Sequence, residues 1–186
     1  MNYWSTKLVA LGEMTPELHP LPDPLPARLR WIHTQRRTAW LFDETVCVGS
    51  LGFGGYGRAS GLTSRGVWHL QRRGVLHLGV HVAPADGRHA PMVMRQSWSF
   101  DGTLDLPGSD PVEWRTLGAS GDAWAFEHPQ DGTRVLTFRT AGPLQAETIV
   151  EIAPAARALS DASPLLLLGA FLVRLAVDDS VVIAGA

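Results

Sequence analysis

The sequence predicts a mainly β protein, in which a closed antiparallel β-barrel surrounds a central hydrophobic C-terminal α-helix. Between residues 31 and 152, short segments rich in β-branched and aromatic residues alternate with turn signals. The most apolar run of the chain follows them, near the C-terminus. A helix that is apolar on every side must be surrounded, and a sheet with one dry face can surround it by closing into a barrel.

The first predicted element is an N-terminal segment, residues 1–30, which contains a proline-rich strap. Five prolines fall between Pro16 and Pro26. Because proline lacks an amide hydrogen and has a fixed φ, this stretch should be extended and polyproline-like. A ligand for an SH3-like module is an alternative interpretation. The barrel domain is predicted to occupy residues 31–186.

Asp-Gly pairs separate several of the predicted strands. They lie at residues 86–87, 101–102 and 131–132, and they favour tight turns because both residue types tolerate positive φ. A meandering, mostly antiparallel sheet follows from this spacing. The strand-like segments are TAWLFDETVCVG, VWHLQ, VLHLGVHV, MVMRQSWSF, VEWRTL, AWAFEH, RVLTFRT and ETIVEI.

The stretch VWHLQRRGVLHLGVHV predicts a hairpin with a defined register. A three-residue loop, Arg72 to Gly74, pairs His69 with His77. Gly74 then takes the left-handed position of the loop. One face of this hairpin carries Trp68, Leu70, Leu76, Leu78, Val80 and Val82, and the other carries His69, Gln71, His77 and His81.

The C-terminal run predicts a helix over about residues 163–178. Ser163 is a suitable N-cap and Pro164 suits the first helical position. The uncharged run from Pro164 to Val173 covers only about half of a bilayer core of roughly 30 Å. Arg174 ends the run, and acidic residues follow it. We therefore expect a helix in the barrel lumen and a chain that is not transmembrane.

Composition limits the classes of function. The chain has 186 residues, which fits one domain, and its net charge is −2. This near-neutrality does not fit a general nucleic-acid binder, so no nucleic-acid partner is expected. Cys47 is the sole cysteine, which excludes a disulfide within this sequence. The N-terminal residues lack a signal-peptide pattern, and we expect a cytoplasmic protein.

Three stretches carry a resemblance to a known family. They are GVWHLQRRGVLHLGVHV, then the run from Gly102 to Arg139 with Trp114, Trp124 and Phe126, and finally SPLLLLGAFLVRL. Together they resemble the tubby-like superfamily, in particular its scramblase and LURP-one-related branches. The resemblance implies a 12-stranded barrel around a hydrophobic C-terminal helix. The acidic calcium-binding segment of scramblases and the basic pair of tubby's phosphoinositide site have no match in this sequence.

Arginines near turns are the candidate ligand-binding residues. Arg36, Arg37, Arg72 and Arg73 form the core of this group, and Arg58 and Arg65 are further members. Guanidinium groups bind phosphates and carboxylates through paired hydrogen bonds, so together these residues predict an anionic-ligand patch. Solvated turns are the alternative explanation for the same residues.

Three histidines are the candidate metal ligands. The predicted register places His69, His77 and His81 on one face of one hairpin. Three imidazoles on a rigid sheet suit zinc or another divalent ion. The alternative is a solvated outer face on which histidine is simply an acceptable polar residue.

No catalytic signature accompanies these groups. The glycine-rich GFGGYG, residues 52–57, lacks the GxxxxGK[ST] spacing and a following helix, so it predicts a bulge or loop between strands. The GAS at Gly118 to Ser120 is not a GxSxG elbow, and no paired carboxylates are evident. We therefore expect a non-enzymatic protein without a cofactor.

The functional hypothesis is a binding or regulatory barrel whose partner is an anionic lipid head group, a membrane surface or another protein. Two alternatives stay open at this point. One is a metal-binding protein or enzyme that uses the histidine face. The other is a lipocalin-like carrier, in which the helix packs outside an open lumen.

Overall fold

A computed structural model describes residues 16–34, 37–55, 57–74, 79–87, 91–97, 101–118, 121–141, 146–154, 156 and 162–184. It contains twelve strands and a C-terminal helix in these ranges. The strands are β1 (Arg28–Thr34), β2 (Thr38–Asp43), β3 (Val46–Phe53), β4 (Arg58–Thr63), β5 (Gly66–Arg73), β6 (Gly79–Pro84), β7 (Met92–Gln96), β8 (Gly102–Leu104), β9 (Val112–Leu117), β10 (Ala123–Glu127), β11 (Arg134–Ala141) and β12 (Glu147–Ile152), and the helix is α1 (Ser163–Ala184).

The twelve strands form a closed antiparallel barrel. Each strand pairs with its neighbours in sequence, and β1 pairs with β12 to close the sheet. Closure leaves no exposed strand edge that could pair with another chain. The predicted fold class is confirmed. β1 begins at Arg28, three residues before the predicted start of the barrel domain.

Side-chain alternation separates a dry inner wall from a wet outer wall. In β5 and β6, Trp68, Leu70, Val80 and Val82 are buried in the lumen. His69, Gln71 and His81 lie on the opposite, outer face of the same strands. This is the face assignment that the sequence predicts for these described residues.

The predicted register of the β5–β6 hairpin is wrong. His69 pairs with Ala83 instead of His77, and Gln71 pairs with His81. β6 also pairs with β7, where Val82 lies opposite Met92. This second pairing requires β6 to begin later in the chain than it would in a tight hairpin with β5. The shift for His69 is six positions, an even number, so the described side chains of the hairpin keep their predicted faces.

The helix α1 lies in the lumen. Its residues from Leu165 to Val173 are buried, and they form one cluster with inner-wall residues such as Trp31 and Phe126. It contacts β4 and β5 on one side and β10 and β11 on the other. The lipocalin-like alternative is therefore wrong, because the helix fills the space that a carried ligand would need.

Two glycines allow the helix and the wall to approach closely. A Cβ atom at Gly61 of β4 would lie 2.7 Å from Leu167. A Cβ atom at Gly169 of the helix would overlap the ring of Phe138 on β11. Gly61 therefore leaves space for the side chain of Leu167, and Gly169 leaves space for the ring of Phe138.

The helix begins at the predicted Ser163 and ends at Ala184, six residues beyond the predicted end near residue 178. Arg174, Asp178 and Asp179 do not stop it, because each carries an ion pair at the barrel end. Within the described part of the chain, no helix has both the length and the apolar character needed to cross a membrane.

The barrel has two distinct ends. The strap end contains the N-terminal ends of β1, β3 and β5 and the start of α1, and the exit end contains the C-terminal ends of those strands. At the strap end, Leu21 and Leu25 pack against the lumen cluster. Leu18 packs against an outer cluster of Ile32, Phe42 and Cys47, and the His19 amide donates to the Cys47 carbonyl at 2.8 Å.

Candidate functional site

Because α1 fills the lumen, a binding site on this barrel lies on its outer surface. At the exit end, a cleft of about 750 Å³ lies on the outer wall formed by β3, β4 and β5. Its lining includes the glycine-rich stretch from Gly52 to Gly55 and the polar side chains of Arg58, Ser60, His69 and Gln71.

The structure brings Arg37, Arg58, Arg72 and Arg73 of the predicted arginine group to this end. Arg37 lies directly before β2, and Arg72 and Arg73 end β5. Arg37 has a positive φ of 59°, and its carbonyl accepts a hydrogen bond from the Phe53 amide at 2.8 Å. The predicted Arg36 lies outside the described residues. Arg65, in contrast, occupies the β4–β5 turn at the strap end.

Adjacent arginines at the end of β5 have different environments. Arg72 points inward, and its Nη1 lies 2.9 Å from Oδ2 of Asp179 on α1. Their side chains are only 11% and 13% exposed. Arg73 points outward, and its Nε and Nη2 both donate to Oε1 of Gln71 at 3.0 Å. Arg72 therefore attaches the helix to the wall, while Arg73 faces solvent.

Arg58 is the strongest addition to the four arginines of the predicted core group. It begins β4, is exposed and lies directly across from Gln71. Within the described ranges, no carboxylate forms an ion pair with Arg37, Arg58 or Arg73. The exit end thus presents three guanidinium groups whose charge is not neutralised by a neighbour.

A serine and a histidine form the centre of the cleft. Ser60 and His69 are opposite each other in the β4–β5 ladder, and Ser60 Oγ lies 3.3 Å from His69 Nδ1. The next pair on the same face of the ladder is Arg58 and Gln71, two residues along. Directly opposed residues have Cβ atoms about 5 Å apart, so these four side chains occupy one compact area of the outer wall.

A partly buried histidine contacts Phe53, which lines the cleft. The ring of His33 stacks on Phe53 with 6.4 Å between centroids, and its Nε2 lies 3.2 Å from Thr148 Oγ1. The Arg174 guanidinium lies 5.7 Å from the centre of the Phe53 ring. Burial lowers the pKa of His33 to about 4, and the positive charge of Arg174 contributes to the same shift. His33 is therefore neutral near pH 7, which sequence patterns did not indicate.

The three-histidine metal hypothesis stays a prediction. His69 and His81 lie on the same outer face, but they are not opposite each other in the ladder. His77 falls outside the described residues. Among the residues that are described, no three histidine, cysteine or acidic side chains come together in a way that could hold a metal ion.

Fold and surface together define a helix-filled β-barrel with a basic outer cleft at one end. Among solved structures, it is similar to an X-ray structure of a protein from Arabidopsis thaliana, with a TM-score of 0.50 and 14% sequence identity. The alignment covers 86% of this chain and 97% of the plant protein. At this identity the likeness shows the fold alone. No protein-family model and no curated protein matches the sequence.

Proposed function

We propose that this protein is a non-enzymatic binding module of the tubby-like, LURP-one-related type, and that its exit end docks on an anionic membrane surface. The observation that carries the proposal is the group of exposed Arg37, Arg58 and Arg73, which have no carboxylate partner among the described residues. Because α1 fills the lumen, the outer surface is the part of the barrel left for binding.

Electrostatics favours a lipid surface over the other anionic partners. A basic side chain close to an anionic leaflet contributes about 1 kcal/mol, so three contribute about 3 kcal/mol, which is enough for weak and reversible docking. The near-neutral net charge of −2 disfavours a long nucleic acid, which needs an extended basic surface. Because anionic lipids are concentrated in the cytoplasmic leaflet, the proposal places the protein in the cytoplasm.

Vesicle flotation tests this proposal. Purified protein should float with phosphatidylcholine vesicles that contain phosphatidylserine, and it should not float with phosphatidylcholine alone. Binding should weaken as salt concentration rises, since the attraction is screened. Replacing Arg37, Arg58 and Arg73 together with glutamine should abolish flotation.

A second triple variant provides the matched control. Arg28, Arg115 and Arg139 are also exposed, but they lie outside the cleft, and their replacement by glutamine changes the net charge equally. This variant should float almost as well as the unchanged protein. Equal loss in both variants, or no flotation of the unchanged protein, contradicts the proposal. In the second case a protein partner for the exit end becomes the better hypothesis.

A further inference from the structure

We infer that the cleft between β3, β4 and β5 is a binding site for the phosphate group of a phosphomonoester. The inference deepens the proposed function and rests on it in treating the exit end as the binding surface. The ligand group is a tetrahedral, doubly charged oxyanion, carried by either a lipid head group or a small soluble phosphate ester.

Several hydrogen-bond donors lie in one small area of the cleft. Arg58 contributes a guanidinium group, which donates without being able to accept. The Ser60–His69 pair contributes another donor whichever group donates within the pair. If Ser60 donates to Nδ1, the Nε2–H of His69 is available; if Nδ1–H donates to Ser60, the hydroxyl hydrogen is available.

The orientation of the Gln71 amide provides a further donor. Its Oε1 accepts two hydrogen bonds from Arg73, both at 3.0 Å. This fixes the carbonyl on the side of Arg73 and leaves the NH₂ group of Gln71 to donate elsewhere. Arg73 therefore orients Gln71 and also adds positive charge beside the cleft.

Negative charge is absent from the described lining of the cleft. The described residues that line the cleft include no aspartate or glutamate. A carboxylate would compete with a bound anion for the donors, and the described lining residues supply no such competitor. A cluster of donors with one guanidinium and no carboxylate favours an anion over a cation or a neutral ligand.

Glycines form one part of the lining of the cleft. A Cβ atom at Gly55 would meet nothing within 4 Å, and one at Gly52 would lie 3.8 Å from the Ser60 carbonyl. Gly52 and Gly55 therefore place no side chain of their own over the donors on β4 and β5. No helix follows it, so the site differs from a phosphate loop.

The geometry of the donors distinguishes a phosphomonoester from a carboxylate. A carboxylate is planar and has two oxygens, which a single guanidinium can satisfy. Arg58, the Ser60–His69 pair and Gln71 lie on the same outer face in ladder pairs two residues apart, so together they offer donors for three terminal oxygens of one phosphate. We expect selectivity for phosphomonoesters over carboxylates and over the phosphodiester of phosphatidylserine.

Nuclear magnetic resonance of the His69 ring tests the site directly. Addition of inorganic phosphate or glycerol 3-phosphate should shift the His69 ring resonances in a saturable way, while acetate at the same ionic strength should not. The resonances are assigned with a His69→Gln variant. Arg58→Gln should weaken phosphate binding at least about tenfold, and Ser60→Ala should weaken it up to about tenfold, because hydrogen bonds to a charged group are lost.

Two matched variants control for general effects on charge and folding. Arg28→Gln removes an exposed arginine at the strap end, and Ser64→Ala removes an exposed hydroxyl from the β4–β5 turn. Both should bind phosphate like the unchanged protein. If all four variants behave alike, or if the His69 resonances do not saturate with phosphate, the inferred site is wrong.

Flotation distinguishes a lipid head group from a small soluble phosphate ester as the source of the phosphate. It compares vesicles that contain phosphatidic acid with vesicles that contain phosphatidylserine at equal charge. Stronger flotation with phosphatidic acid, lost in Ser60→Ala, assigns the site to a lipid phosphomonoester. A saturable shift with glycerol 3-phosphate but no flotation supports the cleft and overturns membrane docking. Flotation that depends on the three arginines but not on Ser60, with no saturable shift, supports the docking proposal and overturns the cleft.

Discussion

The two ends of the barrel hold the same helix by different forces. At the strap end, Leu21 and Leu25 pack against the lumen cluster, and the start of α1 is fully buried. At the exit end, the Arg72–Asp179 pair attaches the helix to β5, and Arg174 pairs with Asp178 within α1 itself. Apolar contacts close one end, whereas charged groups mark the other.

The two ends therefore differ in how much they contribute to the free energy of unfolding. Full burial of a large apolar side chain contributes about 1.5–3 kcal/mol, whereas an exposed ion pair contributes about 0–1 kcal/mol. Arg174 and Asp178 are 43% and 38% exposed, so their pair adds little to the free energy of unfolding. The exit end can therefore carry exposed arginines, because the apolar helix and the strap end supply most of the folding energy.

The largest expected effect comes from a charge in the apolar part of the helix. Leu168→Asp buries a carboxylate at a position with 0% exposure, and it should cost more than about 4 kcal/mol and prevent folding. Circular dichroism and thermal melting measure this effect. Leu62→Asp is the control, because Leu62 is 41% exposed on the outer wall. A folded Leu168→Asp protein would contradict the central position of α1.

The next effect is a loss of stability in mild acid through His33 at the exit end. The pKa of His33 is about 4 in the folded protein and 6.5, its ordinary value, in the unfolded chain, so between these values only the unfolded chain binds the proton. The free energy of unfolding should fall as pH decreases through this window, by about 3 kcal/mol in total. Denaturation with urea at several pH values measures the slope. His33→Gln should flatten it, and an unchanged slope would exclude His33 as the cause.

A smaller effect separates the adjacent arginines of β5. Arg72→Met leaves Asp179 in a site where its side chain is 13% exposed, and it should cost about 2 kcal/mol. Adding Asp179→Asn should recover part of this loss, because the unpaired charge is removed. Arg73→Met should change the stability by less than about 0.5 kcal/mol. Equal costs for Arg72→Met and Arg73→Met would refute the assignment of their faces.

The smallest effect concerns the outer cluster under the strap. Leu18→Ala removes part of the cover over Ile32, Phe42 and Cys47, and it should cost about 1 kcal/mol. Burial raises the pKa of the Cys47 thiol, which slows its reaction with thiol reagents. The variant should therefore react faster at Cys47 without a large change in melting temperature. Unchanged reactivity would show that Leu18 does not shield the thiol.

Comparison of β5 and β6 shows why faces were predictable and pairing was not. The side-chain period of two assigns Trp68 and Leu70 to one wall and His69 and Gln71 to the other, whatever the register. The register depends on the pairing of β6 with β7 as well as with β5, and a hairpin considered alone lacks that second partner.

The candidate site was predicted only in part. The arginines near turns include Arg37, Arg58 and Arg73, which the barrel gathers at one end. The prediction treated Arg72 and Arg73 alike, although alternation sends Arg72 toward Asp179. The Ser60–His69 contact and the burial of His33 depend on pairing between strands, so no local pattern indicated them.

Local properties of the chain were enough to predict a closed barrel, its dry and wet faces and an internal helix that begins at Ser163. Alternation, turn residues and helix capping act over a few residues, so they can be recognised in the amino-acid sequence alone. The end of α1, the strand register and the joining of Arg58, Ser60, His69 and Gln71 in one cleft required the folded barrel. They depend on contacts between distant segments, and only closure of the twelve strands determines those contacts.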